Sequence, residues 1–464
     1  MQDFTQGSIP KHIIRMAVPV FAGMLFQTLY YLVDLYFVAK LGDASVAGVS
    51  AAGNLQFIIM ALTQVLSVGT MVLIAHASGR KDRADASLVF HQSLLLAGAC
   101  MVLTMVFGYA LAGGYARGMA ANAETATAAL SYLYAFIPAL ALQFALITVA
   151  SALRGTGVAK PTMIVQVLSV ALNAVLAPVL IAGWGTGYPL GTAGAGLAST
   201  ISVFAGVVML LWYFKRLETF VAFDRAQLTL HLNTWKRILK IGLPAGGEFA
   251  LMFVYMGIIY IIIRDQGAAA QAGFGIGSRV MQSLFIPAMA IAFAASPIAG
   301  QNIGAGNAHR ARETFLAGVA METVCMLALT GIAQWGGTSL IHVFTQEPVV
   351  VNVGATFLGI ISLNFVAQGV IFTASGMFQA VGNTVPAMIS SATRVLTFAG
   401  PAWWMSKQPG FELRHLWYLS IATVTLQAVV SVSLLYREWK KKLVVGMQAH
   451  ERASVPADVE AATV

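Results

Sequence analysis

The chain has 464 residues, of which 58% are hydrophobic and only 10% charged. A water-soluble domain carries about 25% charge, so a soluble enzyme or binding module is excluded for want of polar surface. The net charge of +9 would suggest nucleic acid in a soluble protein, but here it falls in short loops between apolar runs and reports membrane topology instead.

The first segment carries Asp3, Lys11 and Arg15 ahead of a long apolar run and has no small-residue cleavage site. It reads as a retained first helix rather than a signal peptide. From there, apolar runs separated by Gly-, Pro- or charge-bearing breaks predict about twelve membrane-spanning helices. They fall near 13–39, 46–76, 87–112, 126–152, 160–182, 193–214, 238–263, 273–302, 313–337, 350–377, 384–405 and 414–436. Pro19, Pro138, Pro178, Pro244 and Pro287 lie inside spans, where neighbouring helices can satisfy the freed backbone groups.

With this count, about twenty Lys and Arg residues fall on one side and about five (Lys40, Arg117, Arg264, Lys407, Arg414) on the other. Both termini are therefore expected in the cytoplasm of a multi-pass protein of the cell inner (plasma) membrane. Arg279 and Arg394 lie within spans.

The two halves repeat. Pro19 matches Pro244, Tyr30 matches Tyr255, Gly42 matches Gly267, Gly79 matches Gly304, Gln143 matches Gln368, and Pro161 matches Pro386. Every pair is about 225 residues apart without a gap. Six spans per repeat is an even number, so the halves share one orientation, with a site expected between them. The predicted fold is all-α and membrane-integral: two six-helix lobes in a parallel pseudo-two-fold repeat. Residues 1–214 form the first lobe, 215–237 a basic cytoplasmic connector, 238–442 the second lobe, and 443–464 a disordered tail.

Within the first span the stretch PVFAGMLFQTLYYLVDLYFVAK (19–40) holds one carboxylate, Asp34, with Tyr30 and Gln27 one and two turns earlier on the same face. An acid at that depth costs about 2.5–3.5 kcal/mol on insertion scales and is expected to face protein or water, as an ion or proton site or as a polar tie between helices. No HExxH, CxxC or GxxxxGK[ST] occurs, and Cys100 and Cys325 both sit in apolar spans. Neither a metal nor a cofactor is expected, and no nucleophile–base pair at membrane depth suggests an enzyme.

Several segments resemble the multidrug and toxic compound extrusion (MATE) family of secondary transporters. They are VDLYFVAKLGDASVAGVS at 33–50, HASGRKDRADA at 76–86, LRGTGVAKPTM at 153–163, GQNIGAGNAHRARE at 300–313 and FQAVGNTVPAM at 378–388. The resemblance covers both halves and is similar to the family's proton-coupled bacterial branch. It implies that Asp34, beyond a bend at Pro19, is the acid of the N-terminal lobe that binds the coupling ion. Asn173 resembles the family's asparagine near that acid, and Ser199 stands where a threonine is common. Gln27, Tyr30, Gln64, Asn173 and Ser199 form the expected supporting polar network. Where many members have Asp or Asn, one turn after Asn173, this chain has Ala177, which favours a proton over sodium.

In the second half Ile259 stands at the position equivalent to Asp34. Glu248 lies where the proton-linked branch often has an acid, and Gln368 replaces an aspartate of sodium-type members. Glu248, Arg279, Glu322 and Arg394 are the expected charges of this lobe, with Glu248–Arg279 as the expected pair. The implied function is an antiporter exporting lipophilic or cationic small organic substrates in exchange for protons, as a monomer in the lipid bilayer without a nucleic-acid partner. Sodium coupling is the alternative. A lipid-linked saccharide flippase ranks lower, because only Arg279 and Arg394 could supply a cationic cavity.

Overall fold

The computed structural model describes residues 1–120, 122–217, 220–221 and 229–453, with the side chains of Tyr31, Leu32, Asp34, Leu35, Leu217 and everything beyond residue 440 outside that description. All regular structure among the described residues is helical. The first half comprises α1 (Ile9–Ala39), α2 (Asp43–Gly79), α3 (Arg83–Met119), α4 (Ala123–Gly155), α5 (Lys160–Ala182) and α6 (Gly191–Leu217). The second comprises α7 (Leu232–Arg264), α8 (Ala268–Gly304), α9 (Ala308–His342), α10 (Pro348–Ile361), a 3-10 turn at Ser362–Asn364, α11 (Phe365–Val381), α12 (Val385–Ser406) and α13 (Leu413–Ala453).

Among the described residues, eleven segments are long and apolar enough to cross a bilayer, α10 and α11 counting as one broken span. The twelfth, α12, is made more polar by Arg394 and by its serines and threonines. Helix ends follow local chemistry. The Asp82 and Asn122 carboxyl and amide oxygens cap α3 and α4 by accepting from the backbone N–H groups of Asp85 and Thr125. Gly42 and Gly267, equivalent positions in the repeat, enter α2 and α8 at φ of 104° and 93°, a conformation that favours glycine.

Three sequence expectations change in detail. The tenth span is two helices, whereas its counterpart α4 runs unbroken through Pro138. The connector is shorter than 215–237, because α6 and α7 continue into it; residues 218–219 and 222–228 lie outside the described residues. Helix α13 runs past Lys442 to Ala453, since no proline interrupts it before Pro456. The rest of the tail lies outside the described residues.

The halves pack alike. In the first, α2 lies on α4, α4 on α6, and α1 on α5; in the second, α8 lies on α10 and α11, α11 on α13, and α7 on α12. Between halves, α1 meets α8 and α7 meets α2, the two contacts that the repeat makes equivalent. A third contact, α2 on α8, is tightest at the end of the molecule where the connector runs. There a Cβ at Gly79 would collide with the Gln301 carbonyl, and one at Gly304 with the His76 carbonyl. Glycine lets these backbones touch.

Candidate functional site

The contact between halves is tightest at the connector end and continues along α2 and α7 to mid-span. The apolar packing of α1 on α8 uses Ile9, Ile13, Met16, Ala17 and Val20 against Ile291, Ala294 and Ile298. That of α2 on α7 runs from Gly69 and Gly242 to the ring pair Phe57–Phe253, centroids 5.1 Å apart. Hydrogen bonds tie the same end: Gln301 Nε2 donates to the Gly155 carbonyl (3.1 Å), and His76 Nε2 donates to Ala380 (2.7 Å). Arg237 of α7 grips Asp85 of α3 with both terminal nitrogens, at 2.8 and 3.0 Å.

At the depth of Phe57 and Phe253 the helices also leave polar side chains exposed. These are Gln27 and Thr28 on α1, Asn54 on α2, and Arg279, Gln282 and Ser283 on α8. At a rise of about 1.5 Å per residue all six lie about 16–23 Å from the end opposite the connector. Such groups are costly against lipid, which argues that they line a wet cleft between the halves rather than face the bilayer.

In the first half, α1 packs on α5 and α5 on α6. Asn173 of α5 is fully buried and its Nδ2 donates to the Tyr30 hydroxyl of α1 (3.2 Å). Its Oδ1 has no hydrogen-bond partner among the described residues, nor do Ser169 Oγ and Ser202 Oγ, all buried. Gly206 approaches Ser169 and Gly194 approaches Leu180, which sets the antiparallel register of α5 and α6 and brings Ser202 level with Asn173. Ser199 lies one turn away on α6, also fully buried. Asp34, one turn beyond Tyr30 on α1, lies on this helix; its side chain is outside the described residues. Helix α1 is continuous through Pro19.

Gln27 is exposed, Gln64 is half-buried, and neither makes a hydrogen bond among the described residues. Ser202 was not singled out from sequence, although its i+3 spacing from Ser199 puts it on the same face. Ala177 is fully buried and supplies no oxygen.

The second half differs from expectation. Glu248 and Arg279 do not pair: Glu248 Oε2 accepts from the Ser375 hydroxyl (2.9 Å), while Arg279 is exposed on α8. Arg394 does not find a carboxylate. Its Nη1 donates to Gln368 Oε1 (3.3 Å) and its guanidinium lies over the Tyr255 ring, 4.0 Å from the centroid. An amide and an aromatic face meet this weakly hydrated planar cation without a second buried charge, and its Nε has no hydrogen-bond partner among the described residues. Glu322 is fully buried on α9, its carboxyl group beside the backbone of Ala292 in α8 and with no side-chain partner among the described residues.

The MatE family model matches this chain twice, over residues 19–179 and 244–404. The chain belongs to the MATE family. The two matched segments have equal length and reproduce the offset of the internal repeat. A probable multidrug resistance protein NorM of Thermotoga maritima is 26% identical over 450 residues, covering 94% of each chain. The multidrug export protein MepA of Staphylococcus aureus is 25% identical over 391 residues, covering 82% of this chain and 83% of its own. Among solved structures, an outward-facing multidrug resistance MATE transporter superposes with a TM-score of 0.85 at 23% identity, covering 94% of this chain and 97% of its own, which speaks to fold. This MATE protein is a multi-pass membrane transporter, not an enzyme.

Proposed function

We propose that this protein is an antiporter that expels lipophilic, often cationic, organic compounds from the cell in exchange for protons. The observation that carries the reading is the buried polar cluster of the first lobe. Tyr30, Asn173, Ser199 and Ser202 converge from α1, which also bears Asp34, and from α5 and α6, while the lobes are packed most tightly at one end. Protonation of an acid there removes a charge and changes its hydrogen bonds to α5 and α6. Helix α1 can then repack between its two partners, α5 within its lobe and α8 across the seam, shifting the balance of open ends. The proton gradient supplies the drive, including about 2.3 kcal/mol per charge per 100 mV. By the distribution of Lys and Arg, the connector end faces the cytoplasm of the cell's plasma membrane. The relatives named for multidrug resistance and export support the substrate class.

Sodium coupling is the second reading, and one observation favours it: Asn173 Oδ1 and Ser202 Oγ are buried acceptors without partners among the described residues. Ala177 weighs against it by removing a ligand from the shell a hard cation requires. Dye flux in proteoliposomes under an imposed pH step and, separately, an imposed sodium step decides. Proton coupling predicts flux with pH alone and its collapse in Asp34→Asn. Full flux by that variant would overturn the assignment of Asp34, and flux driven only by sodium would overturn the choice of ion.

A further inference from the structure

The polar stretch ahead of α1, MQDFTQGS, contains one bulky aromatic, Phe4, and it is completely buried. Its ring belongs to one apolar cluster with Ile9, Ile13 and Met16 from α1, Ala159 from the α4–α5 turn, and Ala294 and Ile298 from α8. Gly157, at φ 84°, lies flat against it: a Cβ there would come within 2.8 Å of the ring and 2.9 Å of the Gln2 carbonyl. His12 closes the pocket edge-on, centroids 5.2 Å apart.

The backbone of the same stretch is bound by both lobes. Gln2 N–H donates to the Thr156 carbonyl of the first lobe (2.8 Å). Phe4 N–H donates to Gln301 Oε1 of the second (3.1 Å), and Asn302 Nδ2 donates to the Phe4 carbonyl (3.2 Å). Arg310 donates to the Gly7 carbonyl (2.9 Å) and to Asn302 Oδ1 (3.3 Å). Gln301 turns its other amide atom to Gly155, so a single side chain joins the stretch, the first lobe and the second. Between these anchors Thr5 donates to Asp3 Oδ1 from its hydroxyl and its N–H, shaping the turn and holding that carboxyl below its ordinary range.

We propose that residues 2–7 form a latch across the seam, with Phe4 as a positioning residue that sets how readily the connector end of the transporter opens. Opening that end requires Gln301 to leave Gly155 and Gly79, and Ala159 to leave Ile298. Each of these separations takes away one wall of the Phe4 pocket. A seated Phe4 therefore stabilises the state closed at the connector end and leaves the polar cluster of the first lobe untouched. The inference rests on alternation between two open ends and is independent of the coupling ion.

Labelling of a buried seam residue tests it. Ala75 of α2 is fully buried and faces Gly300 of α8 across the seam; Ala75→Cys, with Cys100 and Cys325 replaced by serine, reports seam opening to a polar maleimide in the purified full-length protein. Phe4→Ala is expected to raise the labelling rate about tenfold, and Phe4→Leu, which refills most of the pocket, to return it to within about twofold of the parent. Thr148→Cys, fully buried in α4, serves as the control and stays slow if the seam opens without unfolding. Arg310→Gln, which loosens the stretch from the opposite lobe without emptying the pocket, is expected to speed Ala75→Cys severalfold and carries the test should Phe4→Ala fail to fold. Parental rates at Ala75→Cys in the folded variants, or equal acceleration at Thr148→Cys, overturn the latch.

Discussion

Tyr30 and Tyr255 occupy the same place in the two halves, and their neighbours tell the halves apart. Tyr30 accepts a hydrogen bond from Asn173 of α5. Tyr255 packs its ring on Phe398 of α12, centroids 4.7 Å apart, takes Arg394 over its face, and shares a hydrogen bond with Ser420 of α13 (2.8 Å). Asn173 and Phe398 are themselves equivalent positions in the repeat, as are Asp34 and Ile259, and Ser199 and Val424. The same backbone scaffold thus holds a polar cluster in one lobe and an aromatic one in the other. Duplication preserved several residues that shape or seat the helices, among them Pro19 with Pro244 and Gly79 with Gly304, and left the chemistry of the facing side chains free to diverge.

Four substitutions probe that asymmetry, the largest effect first. Ile259→Asp places an acid where the second lobe is apolar and fully packed; it is expected to lower stability by about 2.5–3.5 kcal/mol, read as a drop in melting temperature, without adding pH-driven flux. A gain of coupled transport would erase the distinction between lobes. Asn173→Leu removes the donor to Tyr30 and the buried acceptor beside it. Flux at a fixed pH step should fall at least tenfold, about 1.4 kcal/mol of coupling, with the protein still monodisperse.

Arg394→Met deletes the cation over Tyr255 and the bond to Gln368. The expected cost is about 1–2 kcal/mol of stability, measured by thermal unfolding, with transport retained; lost transport at unchanged stability would give the second lobe a coupling role. Tyr30→Phe removes one hydroxyl and is expected to cost about 0.5–1.5 kcal/mol, seen as a displaced pH profile of flux rather than its loss. An unchanged profile would mean that the Tyr30–Asn173 bond is only a tie between helices.

Much of the architecture was legible because its signals are local or periodic. A run of about twenty apolar residues announces a span wherever it occurs, and the 225-residue spacing of Pro19 with Pro244 or Gly79 with Gly304 announces the duplication. The break between α10 and α11 was not legible: Leu363 stands where the first half has Pro138, yet it is the helix without proline that breaks. Partners were less legible still. Arg279 and Glu248 looked like a pair because buried opposite charges attract, but helix rotation exposes one and aims the other at Ser375. Ser202 escaped notice because a serine on an apolar helix looks like any other until its level relative to Asn173 is known.

The order of spans, their duplication, the distribution of basic residues between the two ends, and the asymmetry of Asp34 against Ile259 are written in the chain itself, since each depends on composition along one helix or on spacing between matched segments. Which end is shut, which side chains face the cleft, and the seating of Phe4 between Gly157 and Gln301 were decided only by the assembled bundle. Those features depend on residues far apart in sequence meeting across a seam, and no periodicity within a single helix encodes where two separately formed lobes will touch.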